Sequence, residues 1–328
     1  MKSLSRAIER GRTSNAIEIL DRQPELIAQV RPRSPLWLAG QHGNEELVSF
    51  LLERGADSQS VGWDGTACCL PEKPIHVAAR NGHEAIVRLL RAYHEPLDIF
   101  DACALGDRDR VLDLLQSDPL QANAVLAADP DGRFPLTPLH WAVFCGRRRI
   151  FHDLLQTGAD ARPEMDGSRR TLMPRLCLAL CRGYTDMAED LMHAGDVPTD
   201  DIETCVSFSQ AAYGRKQGSI DLLLNQALNI NARRADEEHC AFVHVRHPRF
   251  KAWLLLLDNG VDLNAQRRNG RTMLHIAAAR GLKTFVGALL ERGADLGLRD
   301  EKGLTALDLA RRRKNQKMYE YLTDMGPF

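Results

Sequence analysis

The feature that most constrains this chain is self-similarity with a period of about 33 residues, the length of a known class of stacking repeat. Gly293, in Gly-Ala-Asp, stands one such period after Gly260, in Gly-Val-Asp; Asn264 follows Asn231 by the same step, and Thr305 follows Thr272. A period of this length marks one supersecondary unit, too small to bury an apolar face alone, so its copies must stack on one another. Length by itself would suggest about two domains. The period replaces that count, because 328 residues amount to about ten units.

The openings of the units share a pattern. Ser34-Pro-Leu-Trp37, Lys73-Pro-Ile-His76, Thr137-Pro-Leu-His140 and Thr272-Met-Leu-His275 are followed, six positions on, by Gly43, Gly82, Gly146 and Gly281. Ser and Thr can cap a helix, and proline suits its first turn, where a missing N–H is harmless. The glycines fall where a helix must end and the chain reverse through φ > 0. Ala142 with Val143, and Leu154 with Leu155, supply the stripes by which one helix pair packs on the next. This resembles the ankyrin repeat family over residues 4–325. The resemblance implies an all-α ankyrin-repeat solenoid of about nine to ten helix-turn-helix units with hairpin or loop fingers. It also implies polar caps at both ends, with His76, His140 and His275 holding finger to helix by hydrogen bonds.

The unit starts fall near residues 1, 34, 73, 97, 137, 174, 206, 239, 272 and 305, so their spacing varies. The short step from 73 to 97 leaves no room for a finger. It suggests two sub-stacks within one continuous solenoid, residues 1–96 and 97–328. Longer steps insert material at 61–69 and 128–135, placing Trp63 on a finger-side loop. The central units stray furthest, opening with Pro174-Arg-Leu-Cys177, Val206-Ser-Phe-Ser209 and His239-Cys-Ala-Phe242. There the glycine of the turn becomes Arg215 or Pro248.

Composition narrows the function classes. Forty-three Lys and Arg against 44 Asp and Glu leave a net charge of −1, which argues against a surface built wholly for nucleic acid or anionic lipid. Apolar runs such as 253–257 are too short to cross a bilayer, and the segment 1–20 lacks a signal-peptide core. Eight cysteines in 328 residues fall well below a disulfide scaffold, so a cytoplasmic protein with free thiols is expected.

In the ankyrin family, the residues four and five positions after the repeat histidine line the concave groove. Carried across, that rule gives a row from Gln41 and His42 through Arg80 and Asn81 to Arg312 and Arg313, whose middle sets out Phe144, Cys145, Cys181, Arg182, Tyr213, Arg246, His247 and Arg280, with Trp141 nearby and Arg267 and Arg268 on a finger. Aromatic and Arg side chains are the commonest interface anchors. The expected function is therefore a non-catalytic protein–protein interaction module, an adaptor, inhibitor or targeting protein. Its partner would be a protein or peptide, acidic and carrying apolar anchors. The alternative is an enzyme or a small-ligand or metal-binding protein with a site in residues 141–247. Cys177 and Cys181 share one helix face, and His239, Cys240, His244 and His247 cluster, but no short C-x₂-C knuckle is present. No phosphate loop or nucleophile elbow occurs either. No cofactor, metal or membrane contact is predicted.

Overall fold

In a computed structural model of the chain, the residues described are 2–29, 33–62, 72–93, 96–127, 135–161, 175–196, 198, 201–232, 242 and 250–325. Helices come in pairs, in the order of the repeat starts. They are α1 (Lys2–Glu9) with α2 (Thr13–Arg22), α3 (Pro35–Gln41) with α4 (Glu45–Glu53), and α5 (Pro74–Arg80) with α6 (Glu84–Arg91). Next come α7 (Ile99–Leu105) with α8 (Arg108–Ser117), α9 (Pro138–Phe144) with α10 (Arg148–Gln156), and α11 (Arg175–Arg182) with α12 (Thr185–His193). After α13 (Asp201–Gly214) with α14 (Gln217–Asn225), helix α15 (Phe250–Asp258) is the second helix of its unit. Finally come α16 (Met273–Arg280) with α17 (Lys283–Glu291), and α18 (Ala306–Arg312) with α19 (Gln316–Asp324). The fold is the all-α solenoid expected. Among the described residues β structure is limited to a short hairpin, Leu126–Ala127 against Pro135–Leu136, and a bridge between Gly62 and Glu72.

The openings work as their chemistry dictates. Ser34 Oγ accepts from the Trp37 N–H at 3.1 Å. Thr137 Oγ1 lies 2.9 Å from His140 Nδ1, and Thr272 Oγ1 lies 2.8 Å from His275 Nδ1. Each pair satisfies groups that a helix start leaves without intrahelical partners. At the turn after the first helix, Gly82 (φ +76°) donates to the Ala79 carbonyl and His83 to the Ala78 carbonyl. Gly281 (φ +72°) and Leu282 repeat the arrangement with Ala278 and Ala277.

Neighbouring units are also tied by asparagines at equivalent places in their turns. Asn123 donates to the Gly158 carbonyl at 2.9 Å and accepts from the Asp160 N–H at 2.8 Å. Asn231 does the same with Gly260 and Asp262, at 3.1 and 2.7 Å. Asn264 accepts from the Asp295 N–H at 2.9 Å.

The chain divides into two compact units, Met1–Leu178 and Ala179–Phe328. The core of the first is built on Leu4, Ile8, Leu20, Trp37, Leu51, Ile75 and Leu90, all fully buried. That of the second includes Leu191, Phe208, Leu223, Val286, Leu289 and Leu322. The short step near residue 95 falls inside the first unit, where α7 packs on both α5 and α9. The expected division into 1–96 and 97–328 is thus a different one.

Candidate functional site

Within the first unit, Trp141 and Phe144 stand together, their ring centroids 6.0 Å apart and edge to face. They do not present themselves to a partner. Trp141 is 0% exposed and Phe144 1%, so the two strongest aromatic anchors expected from the sequence are core residues. Part of the cover comes from Arg80, itself a position that the rule assigns to the groove, and from a partner of Arg80 that the rule does not name. Glu72, itself buried, holds Arg80 through two hydrogen bonds of 2.9 and 2.7 Å, and the guanidinium rests 5.7 Å from the Phe144 ring centroid. This bidentate pair roofs the ring. Cys145, at the end of α9, stays half-buried.

Beneath lies a charged cluster. His76 Nε2 is 2.7 Å from Asp101 Oδ1, and the Lys73 ammonium donates to the same oxygen at 2.8 Å. Both His76 and Asp101 are 1% exposed, and the His76 ring packs edge-on against Trp141 at 4.6 Å. Asp101 occupies the position that histidine takes in other units, the fourth of its own helix opening. In the unit beginning at Thr272, His275 Nε2 instead donates to the Leu304 carbonyl of the next finger, at 3.0 Å. The short step removes that finger, and a carboxylate takes over as acceptor. The signal in the sequence is an acidic residue at a histidine position directly after the short step, a pairing that the repeat motif does not flag.

Within the second unit, α11 and α13 approach so closely that a Cβ on Gly214 would fall 1.9 Å from the Cys181 carbonyl oxygen. Cys181 is consequently buried, while Arg182 and Tyr213 remain half-buried beside this contact. Arg280 is exposed in the last turn of α16, where a cation suits the helix dipole. Arg268 is exposed, and the Arg267 guanidinium lies 5.6 Å from the Phe242 ring centroid. Arg246 and His247 lie outside the described residues, as do Trp63, Pro248, His239, Cys240 and His244.

The groups best suited to chemistry are tied up in structure. Burial, the nearby Cys145 and Asp98 push the Cys103 thiol far above its ordinary range, which disfavours a nucleophilic thiolate. Burial, helped by the Arg175 charge, lowers His140 to about 3, so it is neutral at pH 7. Burial likewise lowers His275. Among the described residues no group of three or more His, Cys, Asp or Glu side chains is placed to hold a metal ion. Nor is any helix among them long and apolar enough to cross a membrane.

Known families match this architecture. Patterns described as ankyrin repeats (three copies), ankyrin repeat, and ankyrin repeats (many copies) match residues 4–101, 136–164 and 256–310. The chain is a member of the ankyrin repeat family. It is similar to the crystal structure of the ankyrin repeat domain of Bcl-3, described as a unique member of the IkappaB protein family. That similarity has 21% identity over 77% of this chain and 98% of the other, with a TM-score of 0.48. Ankyrin repeats are generally protein–protein interaction modules.

Proposed function

We propose that the protein is a non-catalytic recognition module, an adaptor, inhibitor or targeting protein that holds a protein or peptide partner along its inner-helix face. The observation that carries this reading is the state of the turn-end residues. Tyr213 is half-buried and Arg280 exposed, both on first helices of their units, while Arg182 is half-buried with its Nε interred. A pre-organised surface of this kind lowers the ordering cost of association. The anchors differ from the first expectation: Tyr213 and the guanidinium groups take the role, because Trp141 and Phe144 are interior. The commitment of His76, His140 and His275 to helix openings favours binding over catalysis.

Site-specific photocrosslinking in the native cell tests this. A crosslinker at Tyr213 or Arg280 is expected to capture a defined protein, whereas one at Glu291, on an outer helix, is not. Equal capture from both faces, or none from the inner face, would overturn the reading.

A further inference from the structure

Between the two helices of a unit the chain turns through the left-handed region, and glycine normally makes the turn: Gly43, Gly82, Gly106, Gly146, Gly183 and Gly281 have φ from +66° to +80°. In two units of the second compact region the same turn is made by Arg215 and Lys314, each with φ +56°. The hydrogen bonds are those of the glycine turns. Arg215 donates to the Ala212 carbonyl at 2.9 Å and Lys216 to Ala211 at 3.1 Å; Lys314 donates to Arg311 at 3.0 Å and Asn315 to Ala310 at 3.1 Å. An L side chain there crowds its own backbone, a cost glycine avoids. Both exceptions are basic and exposed. The third left-handed non-glycine, Ala227, sits at the other turn of its unit and carries no charge.

Three further observations point the same way. First, α14 and α19 begin directly after these turns with no acidic residue in the first turn, a feature shared with α2, α10 and α17, whereas α4, α6, α8 and α12 begin with Glu45 and Glu46, Glu84, Asp109 and Asp186. The positive ends of their helix dipoles are therefore not offset. Second, Arg215, Lys216, Arg312, Arg313, Lys314 and Lys317 are exposed and form no ion pair with a described carboxylate. Within the same region Arg271 and Arg292 are paired, with Asp300 and Asp258. Third, residues 241–328 hold 16 Lys and Arg against 9 Asp and Glu, while residues 1–240 hold 27 against 35.

We infer that these two strained turns are the ends of a basic ridge that seats an acidic, Asp- and Glu-rich segment of the partner protein. This rests on the recognition reading above and names the chemistry of the partner. The turns are three units apart, about 30 Å at roughly 10 Å per layer, which an extended peptide of about ten residues spans at ~3.3 Å per residue. A polypeptide suits the ridge better than a nucleic acid. Its cations gather at two stations, and no aromatic side chain among the described residues of this region is exposed for bases to stack on.

The test uses the full chain and a fluorescein-labelled peptide of ten glutamates, with a ten-glutamine peptide and a single-stranded oligonucleotide of equal charge as comparisons. The glutamate peptide is expected to bind, the glutamine peptide not, and added salt to weaken the complex. Arg215→Gly with Lys314→Gly is expected to raise Tm by about 1–3 °C, as strain is relieved, while weakening binding about fivefold or more. Ala227→Gly relieves the same kind of strain and should leave affinity unchanged. Equal binding of both peptides, no binding of the glutamate peptide, or unchanged affinity in the double variant overturns the proposal. Tighter binding of the oligonucleotide, lost in the same double variant, overturns it in favour of nucleic acid. Crosslinks from Tyr213 and Arg280 that persist in the double variant would leave the recognition reading standing while the acidic segment falls.

Discussion

His76 and His275 occupy the same place in their units and meet different surroundings. Each uses Nδ1 to accept from the backbone N–H at the start of its own helix, from Lys73 at 3.4 Å and Thr272 at 3.3 Å. Beyond Nε2, His275 finds a neutral carbonyl on the next finger, while His76 finds the Asp101 carboxylate, shared with the Lys73 ammonium. A unit shortened by one finger has replaced a backbone acceptor by a side chain and then balanced its charge. The lesson is that a repeat array tolerates deletion when the lost hydrogen bond can be supplied from the neighbouring helix, at the cost of interring an ion. His140 gives a third setting, with the Arg175 cation nearby.

Breaking the ionic setting should have the largest effect. Asp101→Ala strands a buried imidazole and leaves the Lys73 ammonium to the more distant Asp98 carboxylate, at 3.8 Å, and is expected to cost about 3–5 kcal/mol in urea unfolding. Asp101→Asn retains an acceptor and should cost less. A loss under about 1 kcal/mol for the alanine variant, well short of what a stranded buried charge costs, would show that the cluster is not what closes the gap left by the finger. Acid sharpens the comparison next. His140 has a folded pKa of about 3, below its unfolded value of about 6.5, so its contribution is complete above about pH 6.5 and is lost as pH falls towards 3. The expected slope is about 1.4 kcal/mol per pH unit within that window. His140→Gln should remove it, and a slope that survives the substitution would assign the effect to other groups. His275→Ala should cost about 1–3 kcal/mol and speed hydrogen exchange in the finger around Leu304. If exchange there does not change, the His275–Leu304 bond does not hold the finger. The smallest effect belongs to the cap, with Thr272→Val costing about 1 kcal/mol in thermal unfolding.

Much of this was legible in the sequence because the repeat signal is local. The prolines at Pro35, Pro74 and Pro138, the turn glycines and the capping threonines each act on their immediate neighbours, and the helices begin and end where they dictate. The candidate site was legible only in outline. The positional rule names Arg80 as a groove residue, but does not say that Glu72 holds it over the Phe144 ring from two units earlier in the chain. Asp101 was hidden for a similar reason: its role follows from the absence of a finger rather than from a motif. Arg215 was visible as a missing glycine. That its turn keeps the glycine geometry, and that Lys314 does the same, required the backbone angles.

The recurring asparagines have a mechanical consequence. Each links one finger to the next, as with Asn231 to Gly260 and Asp262, and Asn264 to Asp295. Load applied along such an array is carried in series, one rung at a time, so yielding starts at whichever rung is weakest and the rungs on either side still hold. Because repeats of this kind couple chiefly to their neighbours, such an array is expected to lengthen under tension in steps of about one unit, as a rope ladder gives way.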